Sequence, residues 1–321
     1  MAGQHIPEDV TSGELPGFLA ERYFLLAPIS RMIKKPQSNA AADDNWDIVV
    51  DNRISRFNLN LGELWRYHEL ILLFVKRNFT TNYKQTVLGF LWYIIQPLTT
   101  TVVFTVVFGQ FAKLPTDEIP PFLFYLSGTV VWMYFAGCLT DIAGTFVTNA
   151  SIFGKVYFPR LTVPISVVIT RSFQLLIQFI LFAGFLLFFA VQGTPLKPNL
   201  WSLALPLLFF QLALLSLGTG ILISSMTTKY RDLIFAMGFF VQLWMYFSPI
   251  VYPLSQVPER FRMYYLLNPI VAVVESFRYG FFGVSAIRPA DIALSWTLTL
   301  AVTLVGIVQF NRIERTFIDT V

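Results

Sequence analysis

Two ionisable side chains stand where an apolar sequence should carry none. Asp141 falls within the run 121–148 and Arg171 within the run 163–191, and each is the sole charge in its run. An ionisable group in such a setting marks a proton or ion site, a polar cavity, or an anchor reaching for the surface. The residues alone leave two readings for Asp141: a proton-binding carboxylate, or a side chain facing a polar cavity or helix interface. They leave two for Arg171: a snorkelling side chain, or a guanidinium in a pore where it would meet a pyrophosphate. Glu275 and Arg278, three residues apart on one helical stretch, can pair.

Other common chemistries lack their parts. Gly154-Lys155 is followed by Val156, and Asn149 stands where a phosphate loop needs its first glycine. His5 and His68 are too few for a histidine metal centre or proton relay. Cys138 is the single cysteine, which excludes a disulfide within the chain, and its apolar surroundings read as core. Asp43, Asp44 and Asp47 cluster in a polar stretch, where solvation accounts for them. No zinc-protease helix, nucleophile elbow or dinucleotide fingerprint occurs. No catalytic residue and no metal site is expected. A membrane transporter without a nucleotide site of its own would have to draw energy from a partner or from a gradient, and gradient carriers need mid-membrane ionisable groups, which here are scarce.

The elements that must position these residues are set by hydrophobicity. Apolar residues make up 55% of the 321 and charged residues 13%, phenylalanine occurs 33 times, and mean hydropathy is +0.61. A soluble surface could not hide that load. Spans of roughly 20 residues or more, enough for a core of about 30 Å, are expected near 86–112, 121–148, 163–191, 200–226, 233–252 and 290–311. Lipid offers no partner to an unpaired amide, so each must be helical. Gln96-Pro97 should bend the first. Segment 253–288 is apolar but interrupted by Asn268-Pro269, and reads as two short helices forming a re-entrant hairpin. The expected fold is therefore all-α and integral to the membrane.

Ahead of the spans, residues 1–52 read as a polar, largely flexible tail. The first 25 residues do not resemble a signal peptide, so insertion is expected through the first membrane helix. Within 53–85, Leu61, Leu64, Trp65, His68, Ile71, Leu72, Val75 and Phe79 recur at three- and four-residue steps, as on an amphipathic helix. Six Lys/Arg against two Glu over 53–84 suit the inner interface and its anionic lipids. Residues 86–321 then form the membrane domain. With both termini inside, 16 Lys/Arg lie inside and six outside, which satisfies the positive-inside bias. The inner connectors, Ser151–Arg160 and Thr227–Asp232, are short and charged. They read either as ordinary positive-inside loops or as handles that a partner could grip.

Particular residues carry a resemblance. Tyr83-Lys84-Gln85-Thr86-Val87-Leu88-Gly89, followed by Trp92 and Gln96-Pro97, resembles the entry to the first span of the O-antigen-type polysaccharide exporters. Lys155-Val156-Tyr157-Phe158-Pro159-Arg160 and Tyr230-Arg231-Asp232 are similar to that family's cytoplasmic connectors. Ser248-Pro249-Ile250-Val251-Tyr252-Pro253, Pro258, Leu267-Asn268-Pro269 and Glu275-Ser276-Phe277-Arg278 resemble its outer gate region. The marks fall in one order from about residue 55 onward and identify the chain as a member of the ABC-2 permease superfamily, polysaccharide branch, which includes capsule and teichoic acid exporters.

The resemblance implies a homodimer of six-helix subunits paired with two copies of a separate ABC ATPase. ATP and magnesium would sit on that partner, with no cofactor on this chain and no nucleic acid involved. It implies a bacterial inner-membrane location and a glycan on undecaprenyl pyrophosphate as cargo. Lys155, Tyr157, Pro159, Arg160, Tyr230, Arg231 and Asp232 would couple to the ATPase. Pro249, Tyr252, Pro253, Asn268, Pro269, Glu275 and Arg278 would form the outer gate between spans five and six. Arg56, Arg66, Lys76, Arg77 and Lys84 are candidates to attract the lipid pyrophosphate. A sliding polymer needs many weak sites, and aromatic faces supply them; candidates include Phe104, Phe108, Trp132, Tyr134, Trp244 and Tyr246, of which only a few should line a path. The rival classes are an ABC-2 exporter of a drug or small lipid, an ion-coupled flippase, and a membrane enzyme.

Overall fold

The computed structural model of the chain describes residues 61–84, 87–230 and 232–318. The expected tail 1–52, Arg56, Gln85, Thr86 and Arg231 lie outside them. All regular structure among the described residues is helical.

The first helices are α1 (Leu61–Arg66) and α2 (His68–Tyr83), broken at Tyr67, whose backbone (φ −94, ψ 19) leaves α geometry. The buried side is not quite the expected stripe. Leu64, Phe74 and Val75 are covered, whereas Trp65 and Leu72 are exposed beside Arg66 and Lys76. The reason is that α2 packs along a later span, so that neighbour decides which side is buried. An exposed face mixing Trp and Leu with cations suits a membrane interface.

Five helices are long and apolar enough to cross a membrane: Gly89–Phe111, Pro121–Ala143, Thr162–Val191, Leu200–Thr227 and Pro289–Ile313. The first begins as a 3-10 turn (Gly89–Leu91), continues as α3 (Trp92–Phe104) and ends in π-helical turns over Thr105–Phe111. The α-helix carries through Pro97 to Phe104, so the departure from α geometry comes later than the proline. The second span, α4 (Pro121–Ala143), starts with proline at its first turn, where a missing N–H costs nothing. It stops at Gly144, short of the expected 148, and two single-turn helices follow, α5 (Thr145–Thr148) and α6 (Ala150–Phe153). The third span is α7 (Thr162–Val191), and the fourth is a 3-10 entry leading into α8 (Leu205–Thr227).

Six spans were expected, and the fifth differs. Helix α9 (Leu233–Tyr246) is apolar but has 14 residues, about 21 Å at 1.5 Å per residue, against a core of about 30 Å. The chain turns at Phe247 instead of continuing to 252. Pro249 and Pro253 explain this, because each disfavours helix in the residue before it and removes a donor. Segment 253–288 holds two helices, α10 (Glu259–Leu266) and α11 (Pro269–Phe282). Asn268 caps α11 by accepting from the Ile270 N–H at 3.3 Å, and Gly283 closes it in the left-handed conformation (φ +70). Every residue of α11 except Tyr279 is buried. The last helix, α12 (Pro289–Ile318), runs past the expected end at 311.

Helix α4 is the centre, packing on α3, α7, α8, α9 and α11. Helices α8 and α12 pack most extensively among the described helices and approach closely, because Gly218 and Gly306 have no side chain to separate them. A Cβ on Gly218 would sit 2.6 Å from Thr303 Cα, and one on Gly306 would sit 2.5 Å from the Gly218 carbonyl oxygen. Gly220 meets Ile142 of α4 in the same way, at 2.8 Å. Close backbone approach of this kind is how helices associate where lipid competes for apolar contacts.

Candidate functional site

The 149–161 connector is built on aromatic rings. Asn149 anchors it: the Ile152 and Phe153 N–H groups donate to its carbonyl oxygen, and its own amide donates to the Thr145 carbonyl at 3.0 Å. Phe153 and Phe158 turn inward and are buried. Ring centroids run from Phe74 of α2 to Phe158 (5.7 Å), Phe153 (5.6 Å), Phe146 (5.8 Å) and Phe310 of α12 (4.8 Å). Each step lies in the range where aromatic pairs attract beyond simple burial. The connector therefore bears on both the first described helices and the last.

Two polar links add to this. Arg77 of α2 donates to the Asn149 side-chain oxygen at 3.2 Å and lies 4.7 Å from the Phe74 ring centroid. Burial holds its guanidinium below the usual arginine value. At the end of α8 the Thr227 hydroxyl donates to the Ala143 carbonyl at 2.6 Å. The 228–232 connector is thus tied to the turn from which the 149–161 connector departs.

The expected connector residues divide by exposure. Lys155, Tyr157, Tyr230 and Asp232 are exposed, and Tyr157 is 61% open. Lys229 Nζ lies 5.2 Å from the Tyr230 ring centroid. Pro159 is half-buried, and Arg160 is buried with its guanidinium 5.5 Å from the Phe153 centroid. Arg160 therefore braces the loop from inside and does not stand on its outer surface. Arg66, Lys76 and Lys84 are exposed, whereas Arg77 is committed to Asn149.

At the opposite end of α4 lies a buried polar hub. Arg278 and Glu275 of α11 pair at 3.3 Å with side chains only 2% exposed. Arg278 Nε donates to Ser127 Oγ at 3.2 Å, and its Nη2 donates to the Phe124 carbonyl at 3.2 Å and the Ile250 carbonyl at 3.5 Å. Its guanidinium lies 3.6 Å from the Phe124 ring centroid. Glu275 accepts from Ser285 Oγ at 2.8 Å and from the Leu254 N–H at 3.5 Å. A buried ion pair survives desolvation only with such satisfaction of its remaining groups. Asn268 Nδ2 donates to Ser248 Oγ at 2.9 Å and the Phe247 carbonyl at 3.2 Å. Tyr252 donates to the Tyr246 carbonyl at 2.8 Å, and Pro249, Pro253 and Pro269 are buried. The expected gate residues thus gather in one region around α4 and α11.

Asp141 and Arg171 meet across α4 and α7. Arg171 Nε and Nη2 both reach Asp141 Oδ2, at 2.8 and 2.7 Å, and Nη1 donates to Gln174 Oε1 at 2.7 Å.

The aromatic candidates scatter. Trp132 and Tyr134 are buried in the core, Tyr134 within 3.2 Å of the Ser172 hydroxyl. Phe104 and Phe108 are half-buried and pack edge to face at 5.4 Å. Trp244 lines an apolar groove of about 520 Å³ between α8 and α9, with Leu139, Met226, Met237, Phe240 and Phe247. Tyr246 is exposed. The sequence reading does not single out Phe146, Asn149, Ser127 or Phe310 for these contacts. No local signal singles them out, because each acts through a partner tens of residues away.

The chain is similar to known proteins over most of its length. The chain is 26% identical over 266 residues to an O-antigen export system permease protein RfbA of Klebsiella pneumoniae, covering 82% of this chain and 98% of that one. It is 25% identical to an RfbA of Myxococcus xanthus, over 68% of this chain and 83% of that one. It is 23% identical to a polysialic acid transport protein KpsM of Escherichia coli, over 76% of this chain and 93% of that one. The family model described as ABC-2 type transporter matches residues 69–282, from α2 to the end of α11. On that match, the chain belongs to the ABC-2 type transporter family.

Proposed function

We propose that this chain is the membrane permease of an exporter for lipid-linked polysaccharide of the O-antigen or capsule type, driven by a separate ABC ATPase. The reading takes α9 as a short fifth span and α10–α11 as a re-entrant gate hairpin, giving six spans with both termini in the cytoplasm of a bacterial cell. Two copies form the conduit and two ATPase subunits drive it. The cargo is a glycan on undecaprenyl pyrophosphate, attracted by the exposed Arg66, Lys76 and Lys84.

The observation that carries this reading is the construction of the connectors. Tyr157 and Tyr230 are exposed on short connectors, one seated on rings that reach α2 and α12, the other tied to Ala143. A push there reaches the spans and is not lost in a flexible loop. Asp141, one candidate for a proton site, is engaged by Arg171, which favours an ATP-driven mechanism over an ion-coupled one. The similarity to O-antigen export permeases and to a polysialic acid transport protein supports the substrate class.

Affinity purification of the tagged chain from its native membrane tests the proposal. An ABC ATPase at about equal stoichiometry is expected, and deletion of the chain should strip long-chain glycan from the cell surface. Purification without an ATPase, or vesicle transport by the chain alone, would overturn it.

A further inference from the structure

The Asp141–Arg171 patch lies within the membrane-spanning helices and has no part in the connectors or the hub. The two side chains are 39% and 22% exposed respectively. A charged pair this open cannot face acyl chains, because charges in the bilayer core cost several kcal/mol unless paired in a polar or wet setting. A polar medium must cover it. Gln174 and Gln178 follow Arg171 at three and seven residues, on the same face of α7, and both are buried. The Gln178 amide donates weakly to the Tyr93 carbonyl at 3.4 Å, and its side-chain oxygen has no hydrogen-bond partner. A fully buried acceptor left this way calls for an ordered water behind the pair. The facing strip of α4 is small: Ala136, Gly137 and the exposed Thr140. At Gly137 a Cβ would come within 3.0 Å of Arg171 Cζ.

Charge selects the ligand. Asp141 cancels the Arg171 charge at 2.7 Å, so the patch has no net charge but offers carboxylate, guanidinium and carboxamide together. A pyrophosphate would meet a neutralised cation beside a carboxylate. A sugar hydroxyl, which both donates and accepts, can use every group present. We propose that Asp141 and Arg171, held from behind by the buried Gln174, form a contact site for saccharide hydroxyls of the transported chain, near the connector end of α4. The proposal rests on the polysaccharide reading above and replaces pyrophosphate with glycan as the ligand of Arg171.

Cys138 makes the site testable, since the single cysteine is buried and gives a silent background. Thr140→Cys places a thiol on the exposed strip at little structural cost, because the Thr140 hydroxyl bonds only to its own helix. Inverted membrane vesicles carrying the full transporter are treated with a membrane-impermeant maleimide. The variant should label at least about tenfold faster than wild type, as expected for an exposed thiol against a buried one. Labelling should slow several-fold in membranes whose carrier lipid bears the complete glycan, and not where synthesis is blocked at the bare lipid pyrophosphate. Three results overturn the site: labelling only by membrane-permeant reagents, which places acyl chains or a second copy there; equal protection by the bare carrier, which makes a headgroup the occupant; and no protection. If ATPase co-purification and the deletion phenotype hold while protection fails, the saccharide site falls and the export reading stands.

Discussion

The Phe146 ring of α5 lies 4.8 Å from the Phe310 ring of α12, and both are fully buried. The two rings are 164 positions apart in the chain, and through Phe153 the contact links the 149–161 connector to the last span. Phe146→Leu keeps most of the apolar volume and loses the ring contact, worth about 0.5–1.5 kcal/mol. The ATPase should still co-purify, while glycan exported per ATP hydrolysed falls several-fold. Unchanged coupling in reconstituted vesicles would remove Phe146 from the transmission path.

Tyr157 and Arg160 lie three residues apart with opposite exposure, and their variants should separate accordingly. Tyr157→Ala should weaken ATPase association by on the order of tenfold or more, as for a well-placed aromatic contact, and leave the melting temperature alone. Arg160→Ala should lower the melting temperature first, because it removes the brace over Phe153. Pull-down paired with thermal unfolding in detergent reads both. The reverse pattern would contradict the geometry.

Removing one member of the Arg278–Glu275 pair leaves its partner buried without compensation. Arg278→Met is expected to cost about 3–5 kcal/mol. The double variant Arg278→Met with Glu275→Leu should recover part of that loss, since an apolar pair strands no charge. A double-mutant cycle on unfolding measures the coupling, and additive effects would show that the pair is not a unit.

The glycine contacts make an internal control. Gly218→Ala must push α8 away from Thr303, where the new Cβ would sit at 2.6 Å, and overpacking of this kind costs about 1–3 kcal/mol. Gly238→Ala meets nothing within 4 Å on α9 and should be neutral or slightly stabilising through helix propensity. Thermal stability of the two purified proteins decides the matter.

Much of the architecture is legible in the residues because the bilayer imposes it. Long apolar runs must be helical, and the proline at 121 and the asparagine at 268 mark helix starts that the structure places there. The expected fifth span is legible as an apolar helix but not in length, since hydropathy cannot see the break that Pro249 imposes at Phe247. The Glu275–Arg278 pair is readable because its spacing is local. Its bonds to Ser127, Phe124 and Ile250 are not, because they join segments more than 25 residues apart and leave no periodic trace. The same holds for Asp141 and Arg171. Each is conspicuous alone, but their pairing depends on how α4 and α7 pack. Arg160 resembles an outward contact in the sequence, and only the inward turn of Phe153 and Phe158 reveals its place.

Helix α4 touches both the connectors and the buried hub: Ala143 accepts from Thr227 at one end, and Ser127 accepts from Arg278 at the other. These two points stand about 24 Å apart along an unbroken helix, so a tilt of about 10° pivoted at one would swing the other by about 4 Å. A single stiff strut can therefore carry a small push on one side of the membrane to a displacement wider than a water molecule on the far side.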